Sequence, residues 1–255
     1  MKVACELRHG TWQEKLSDIE KCNSIITDPP YSPRTHEGFI ENASGGDLGY
    51  DSIAEESCIE FVEYWTPKVK DWFVLFGDHI SAKWWEKSLK DAGLYVFAPV
   101  YYVKTNPLPR INGDGPTSSG EVITRAVTKE YLEEMCIDVL HHNQPELFKH
   151  EDIQTLTIAR PTYKLKAPKS RPGHYLSKRD SNAIVKGQKS IEVMCRIIDD
   201  YSEPDDIVID PFAGSATTLL ACKMMGRSSI GTEVREEIFN LASRRVKGEA
   251  QMSLI

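Results

Sequence analysis

The chain has 255 residues, of which 40% are hydrophobic and 27% are charged, and its formal net charge is −7 at pH 7. This length predicts one large α/β domain with an insertion rather than two equal domains. No run of about 18 apolar residues occurs, so we expect no membrane span. The negative charge argues mildly against a nucleic-acid partner, although a local basic stripe can bind phosphates on an acidic protein.

The N-terminus and the cysteines predict a cytoplasmic protein. Lys2 and Glu6 introduce charge too early for a signal peptide. The six cysteines lack CxxC spacing, which favours free thiols over a disulfide framework. The histidines are not spaced as metal ligands with any cysteine pair, so no metal site is predicted.

Hydrophobic periodicity predicts strands that alternate with helices, which is typical of a mostly parallel sheet covered on both faces. The predicted strands cover residues 2–8, 23–27, 72–77, 94–103, 206–210 and 228–232. The predicted helices cover residues 12–22, 53–66, 81–92, 190–201, 216–225 and 236–247. Pro99 predicts an irregularity or an edge position in its strand. The alternation stops between about residues 104 and 184, where we expect the insertion, and residues 32–52 are predicted to be a loop.

The predicted strand at residues 23–27 leads into Asp28-Pro29-Pro30-Tyr31. Each proline fixes φ and pushes the residue before it toward an extended conformation, so the turn is stiff. Sites in open α/β sheets lie at the carboxyl ends of strands, which favours a functional turn carrying a carboxylate, a carbonyl and an aromatic ring. The alternative is an ordinary strand-ending turn with a buried tyrosine.

A second informative stretch runs from an apolar strand into a turn of small residues and then a helix, with the sequence Asp210-Pro211-Phe212-Ala213-Gly214-Ser215 after Ile207 to Ile209. Small residues in such a turn let a ligand approach the backbone closely. Glu233 ends the next predicted strand, where an acid can accept hydrogen bonds from ribose hydroxyls. The alternative for Glu233 is an ordinary acid at a helix N-terminus. Together the turn and the acid predict a cofactor that contains adenosine.

These two stretches, in this order, resemble the S-adenosylmethionine-dependent DNA amino-methyltransferases of the permuted β-group, in which the catalytic motif precedes the cofactor motif. The resemblance covers about residues 1–104 and 186–248. It implies a Rossmann-like methyltransferase fold, circularly permuted, with a mostly parallel seven-stranded sheet and helices on both faces. Residues 1–104 and 186–255 would form the catalytic domain, and residues 105–185 an inserted target-recognition region.

The resemblance also implies individual roles. Asp28 and the Pro29 carbonyl would accept hydrogen bonds from the target amino group, Pro30 would stiffen the turn, and Tyr31 would stack on the extruded base. The residues implied in cofactor binding are Asp28, Gln188, Lys189, Asp210, Phe212, Gly214, Ser215, Thr217 and Glu233. The chain departs from the family in having Ala216 where glycine is usual, Ser190 where proline is usual and Thr11 where an acid is common.

Double-stranded DNA is the partner that the resemblance implies. The basic residues between 160 and 179 are the main candidates for phosphate contacts, and a solvated surface is the alternative. The full candidate set is Arg34, Lys104, Lys164, Lys166, Lys169, Arg171, Lys178 and Arg179.

The expected activity is transfer of a methyl group from S-adenosylmethionine to the N6 amine of a flipped adenine in specific DNA sequences. Within the resemblance, aspartate at position 28 is the usual adenine form and serine the usual N4-cytosine form, so N4-cytosine methylation is the alternative. A non-catalytic nucleic-acid-binding subunit is a further alternative. The sequence leaves open whether the chain is a monomer or a homodimer, and whether a restriction endonuclease accompanies it.

Overall fold

The computed structural model describes residues 3–36, 51–104, 120–128, 173–177, 183–185 and 187–248. The strands are β1 Cys5–His9, β2 Cys22–Thr27, β3 Val69–Gly77, β4 Tyr95–Val96, β5 Val100–Lys104, β6 Gly120–Val127, β7 His174–Ser177, β8 Ile207–Asp210 and β9 Ser228–Glu233. The helices are α1 Trp12–Lys15, α2 Glu55–Trp65, α3 Ser81–Asp91, α4 Ile191–Tyr201, α5 Thr217–Met224 and α6 Glu236–Lys247.

All these strands belong to one sheet with the order β1-β9-β8-β2-β3-β6-β5-β7, and β4 pairs with β6 beside this path. The strand pairs β1–β9, β9–β8, β8–β2 and β2–β3 are parallel, and so is the pair β5–β7. Strand β6 is antiparallel to β3, β4 and β5. The predicted α/β class and mostly parallel sheet are therefore confirmed.

The predicted count of seven strands is too low, because the described residues contain nine. The strand predicted over residues 94–103 is interrupted around Pro99 and appears as β4 and β5, as an internal proline leads one to expect. Strands β6 and β7 come from residues 105–185, where no strand was predicted, yet they pair with β3 and β5. Any target-recognition role of the insertion thus concerns a segment that contributes two strands to the main sheet.

Side chains that alternate along the central strands build a core on each face of the sheet. Ile25 packs with the apolar residues of α2 and α3, including Phe61 and Trp85. Ile26, its neighbour, packs on the opposite face with residues of α4 such as Ile197. Because neighbouring side chains of a strand point to opposite faces, β2 is covered on both sides.

Helix α1 is much shorter than the predicted helix of residues 12–22. Its one large contribution is the buried Trp12, which packs on Phe61 and Trp65. Ser17 and Asp18 follow the helix, and short polar side chains of this kind favour turns over continued helix. Within the part of the chain described here, no helix has the length and apolar character needed to cross a membrane.

Candidate active site

The two stretches singled out in the sequence meet at the carboxyl ends of β2 and β8, which are adjacent and parallel. Residues 28–32 follow β2, and we call them the acceptor loop. Residues 210–217 follow from the end of β8, and we call them the cofactor turn. The Thr27 hydroxyl donates a hydrogen bond of 2.5 Å to Asp210 Oδ1, which joins the two strand ends directly.

Asp210, the first residue of the cofactor turn, lies fully inside the protein. Burial raises the pKa of Asp210 to about 6, and the negative charge of Asp28 adds to the rise, although hydrogen bonds from Thr27, Thr218 and the Phe212 backbone oppose it. The Thr27 hydroxyl and the Phe212 N–H, the latter at 3.2 Å, both donate to Asp210 Oδ1. Asp210 therefore fixes the relative position of the two segments.

The acceptor loop places Asp28 beside Tyr31 and Lys189. The Tyr31 hydroxyl donates to Asp28 Oδ1 at 3.2 Å, and the Lys189 ammonium donates to Asp28 Oδ2. Asp28 keeps 32% of its side chain exposed, whereas Lys189 exposes only 6% of its own. A buried cation therefore contacts the partly exposed carboxylate of Asp28.

Asp78 anchors the far end of the acceptor loop, and sequence reasoning missed it. Its Oδ2 accepts hydrogen bonds from the Ser32 N–H at 3.0 Å and the Ser32 hydroxyl at 2.6 Å. Its Oδ1 accepts from the N–H groups of Ile80 at 2.9 Å and Ser81 at 2.7 Å, at the start of α3. Burial raises the pKa of Asp78, but the hydrogen bonds from Ser32, Thr35 and these backbone groups outweigh it and bring the pKa down to about 2.

The cofactor turn has open space beside its glycine. Gly214 adopts φ +50°, and among the described residues a Cβ built on it would meet only Glu233 Oε2, at 4.0 Å. Glu233 is buried, and its Oε1 accepts from the Arg235 backbone N–H at 2.9 Å and from Arg235 Nε at 3.0 Å. The predicted ribose-binding acid therefore lies next to the turn, and Arg235 fixes one of its oxygens.

The hydroxyls of Ser215 and Thr217 point toward helix α6 rather than along the turn. They lie 3.0 Å apart, and Arg245 donates to Thr217 Oγ1 at 2.8 Å and to the Ser215 carbonyl at 2.9 Å. These contacts indicate that the two residues shape the turn through Arg245. Their predicted direct role in cofactor binding stays a prediction.

Ala216 occupies the position where the resembling family usually has glycine. It is fully buried and adopts φ +58°, in the left-handed region that favours glycine. This conformation implies backbone strain at the residue that precedes α5.

Replacing Ala216 by glycine is expected to change the free energy of unfolding by less than about 1 kcal/mol. Relief of left-handed strain, about 1–2 kcal/mol, offsets the loss of a buried methyl and the added chain entropy of glycine. Ala221→Gly is the matched control, because Ala221 is equally buried but lies within helix α5. The control is expected to cost about 2 kcal/mol in urea unfolding. Equal losses in the two variants would show that position 216 is not strained.

The remaining predicted site residues lie as follows. Gln188 accepts a hydrogen bond from the Ile184 N–H through Oε1 at 3.3 Å, close to Lys189 in sequence. Phe212 is half-buried and stacks on Phe61 with ring centroids 5.8 Å apart. Arg34 is exposed directly after the acceptor loop.

The other predicted DNA contacts cannot be placed on the structure. For Lys104 the backbone is described in β5 but the side chain is not. Those that lie outside the described residues are Lys164, Lys166, Lys169, Arg171, Lys178 and Arg179. In the described ranges, no group of three or more His, Cys, Asp or Glu side chains is arranged to hold a metal ion.

The Asp28 carboxylate, the cofactor turn and the buried Glu233 therefore lie at the same edge of the sheet. The model of a family described as DNA methylase, the N6/N4 methyltransferases, matches residues 22–244 of the chain. A Type II methyltransferase of Haemophilus influenzae, M.HinfI, is 23% identical over 93% of this chain and 67% of its own length.

Solved structures agree with this result. The complex of M1.HpyAVI with SAM has a TM-score of 0.62 and 25% sequence identity, over 94% of this chain and 98% of that one. The PvuII DNA methyltransferase, which is cytosine-N4-specific, shares the fold with a TM-score of 0.58 at 15% identity, over 97% of this chain and 94% of that one. The Rossmann-like methyltransferase fold predicted from the sequence is confirmed. Since the family model spans most of the chain, this protein belongs to the DNA methylase family of N6 and N4 methyltransferases.

Proposed function

We propose that this chain methylates the exocyclic N6 amine of an adenine that is flipped out of double-stranded DNA, with S-adenosylmethionine as the methyl donor. The observation that carries the proposal is the hydrogen bond from Thr27 to Asp210, which couples the acceptor loop to the cofactor turn. A donor site and an acceptor site held at a fixed distance are what a direct transfer between two bound molecules requires.

The residues of the cofactor turn fit S-adenosylmethionine. The open space beside Gly214 can take the adenosine part close to the backbone, and Glu233 lies within reach of ribose hydroxyls. The bound cofactor supplies a methyl group on a positively charged sulfur. Gln188 is proposed, from the family resemblance, to face its methionine end.

The acceptor loop is proposed to make the exocyclic amine a better nucleophile. The lone pair of that amine is delocalised into the ring, so the nitrogen is a poor nucleophile. Hydrogen bonds from its two N–H groups to the Asp28 carboxylate and the Pro29 carbonyl favour a pyramidal nitrogen with an available lone pair. As the carbon–nitrogen bond forms and the carbon–sulfur bond breaks, Asp28 stabilises the positive charge that develops on nitrogen, which then releases one proton to solvent.

The target base must leave the duplex before Asp28 can reach it, because its amine takes part in base pairing. Tyr31 is half-buried beside Asp28, where its ring can stack on the flipped base. The basic residues between 160 and 179 are proposed to hold the DNA backbone. Adenine is favoured over cytosine because position 28 is aspartate, the usual adenine form within the resemblance.

Transfer of label is the direct test. The purified chain is incubated with radiolabelled S-adenosylmethionine and mixed-sequence duplex DNA, and the DNA is digested to nucleosides. We expect the label in N6-methyldeoxyadenosine, the nucleoside that carries N6-methyladenine. Label in N4-methylcytosine would replace the adenine proposal with the alternative, which the fold shared with PvuII methyltransferase keeps relevant.

The hypothesis of a non-catalytic subunit predicts a different outcome of the transfer assay. A nucleic-acid-binding subunit would retain DNA binding in a mobility-shift assay but transfer no label. Heat-treated protein supplies the background of the transfer assay, and a second incubation with duplex RNA tests the nucleic-acid class. A map of methylated bases in DNA from cells that express the chain would then give the recognition sequence.

A further inference from the structure

Lys189 is a buried cation in contact with the proposed catalytic carboxylate. Its side chain exposes only 6% of its surface, and its ammonium donates hydrogen bonds to Asp28 Oδ2 and, at 3.3 Å, to the Tyr31 hydroxyl oxygen. Three aromatic rings surround the ammonium, with centroids 5.0 Å away for Phe76 and 5.8 Å away for Tyr31 and Tyr102. Burying an ammonium is unfavourable unless it is paired, so this position requires a counter-charge such as Asp28.

The Asp28 carboxylate accepts hydrogen bonds on both of its oxygens. An ionised carboxylate has about four acceptor positions on its two oxygens. Lys189 occupies one on Oδ2, and the Tyr31 hydroxyl occupies one on Oδ1. Because Lys189 is buried and nearly a third of the Asp28 side chain is exposed, we infer that the lysine contacts the carboxylate from the interior side.

The backbone next to Lys189 is tethered to two other strands. The Ser190 N–H lies 3.4 Å from the Tyr102 hydroxyl oxygen in β5, and the Tyr102 hydroxyl donates to Ser177 Oγ in β7 at 3.0 Å. Helix α4 begins immediately afterwards, at Ile191. The lysine thus projects from a fixed point, which allows it to define the orientation of the side chain that it contacts.

We propose that Lys189 is a positioning residue of methyl transfer, whose ammonium holds the Asp28 carboxylate in the orientation that accepts the target amine. This assignment rests on the proposed function of Asp28. It differs from the role implied by resemblance, in which Lys189 contacts the methionine end of the cofactor. The two roles predict opposite effects on cofactor affinity and turnover.

Lys189→Met tests the proposal, since methionine keeps an unbranched, apolar chain and removes the charged ammonium together with its N–H donors. We expect kcat for transfer to DNA to fall at least about 30-fold, on the scale of a lost electrostatic contact in an active site. The dissociation constant for S-adenosylmethionine, measured by calorimetry, is expected to change less than about threefold. Lys189→Arg, which restores a cation, is expected to recover part of kcat.

Each other outcome overturns the assignment. A large rise in the cofactor dissociation constant, with normal kcat at saturating cofactor, would place Lys189 at the cofactor instead. Normal values of both would show that the contact has no role in transfer. Lys90→Met is the matched control, because Lys90 makes an exposed ion pair with Glu86 on α3, far along the chain from the site. Absence of transfer by the unaltered chain would contradict the proposed function itself rather than this inference.

A double-mutant cycle shows whether Lys189 acts through Asp28. In an Asp28→Asn background, we expect Lys189→Met to lower the residual single-turnover rate less than about threefold, because the group that it orients is already altered. The same four proteins are unfolded in urea without cofactor. There the double variant is expected to lose less stability than the sum of the two single losses. Additive effects in both measurements would overturn the proposal.

Discussion

Asp28→Ala is expected to lower kcat at least about 10³-fold while the affinity for S-adenosylmethionine stays within about threefold of the original. The variant loses the negative charge next to the nitrogen on which positive charge develops, and removal of one such preorganised group commonly costs 10²–10³ in kcat. The loss is expected to exceed that range slightly, because the orienting contacts of Tyr31 and Lys189 disappear with the carboxylate. The cofactor turn keeps its own hydrogen bonds through Asp210 and Arg245.

The same substitution also has a cost in stability, which must be separated from the catalytic effect. It leaves the buried Lys189 ammonium without the Asp28 counter-charge, and breaking a buried ion pair in this way costs about 3 kcal/mol. The double variant Asp28→Ala, Lys189→Met removes both charges. We expect it to regain most of the lost stability without regaining transfer.

The measurements are kcat with saturating cofactor and DNA, cofactor affinity by calorimetry, and urea unfolding of the single and double variants. Asp91→Ala is the control, since Asp91 is an exposed acid at the end of α3. Asp28→Ala with full activity would contradict the mechanism. Recovery of transfer in the double variant would show that the damage came from the unpaired lysine rather than from loss of the acceptor.

The position of both parts of the site could be predicted from sequence because each part is local. Asp28 to Tyr31 and Asp210 to Ser215 each follow an apolar strand, and parallel strands bring their carboxyl ends to one edge of a sheet. The structure adds that the two strands are direct neighbours and that Thr27 bonds to Asp210 across them. Neighbouring strands that lie about 180 residues apart in the chain carry no local signal of their pairing.

Contacts between distant residues account for what the sequence did not reveal. Asp78 stands after the strand β3 and before helix α3, so a capping role could have been inferred from local pattern. Its hydrogen bonds to Ser32 could not have been inferred in this way, because 46 residues separate Asp78 from Ser32. Lys189 and Asp28 are 161 residues apart, and the resemblance directed attention to the cofactor instead.

The two strands inside the predicted insertion were missed for a related reason. β6 (GEVITRAV) and β7 (HYLS) mix apolar with polar residues and lie in a segment dense in proline, glycine, asparagine and basic residues. Their strand character depends on pairing with β3 and β5, which supply the other side of each hydrogen-bond ladder. Tyr175 and Ser177 of β7 then face the buried side, where Ser177 accepts the hydrogen bond from Tyr102.

Asp78→Asn is expected to lower the free energy of unfolding by about 2–3 kcal/mol and to lower kcat at least about tenfold. A neutral amide has one acceptor oxygen, so it cannot satisfy both the N–H groups at the start of α3 and the two donors of Ser32. Hydrogen bonds to a buried charge are each worth about 1.5–3 kcal/mol, and an amide NH₂ group facing the Ser32 N–H would repel it. Release of Ser32 loosens the acceptor loop, and small misplacements of reacting groups carry large kinetic costs.

The pH dependence of stability identifies the carboxylate as the cause. Because the pKa of Asp78 in the folded protein is about 2, below the ordinary value of 3.8, its contribution is complete above about pH 4 and is lost as the pH falls toward 2. Unfolding in urea at pH 7 and at pH 3 should therefore show a smaller difference between the original chain and Asp78→Asn at the lower pH. Ser32→Ala removes only the hydroxyl donor and keeps the backbone N–H, so its loss in stability should be smaller.

Turnover decides whether Asp78 matters for the site or only for the fold. If it acts through the acceptor loop, kcat falls in Asp78→Asn at temperatures where the variant is fully folded, while cofactor affinity is retained because the cofactor turn has separate anchors in Asp210 and Arg245. If Asp78→Asn is less stable but keeps a normal kcat, the role of Asp78 is limited to accepting the N–H groups at the start of α3. The expected fall in kcat would show that the acceptor loop is held at both ends, by Thr27 with Asp210 on one side and by Ser32 with Asp78 on the other.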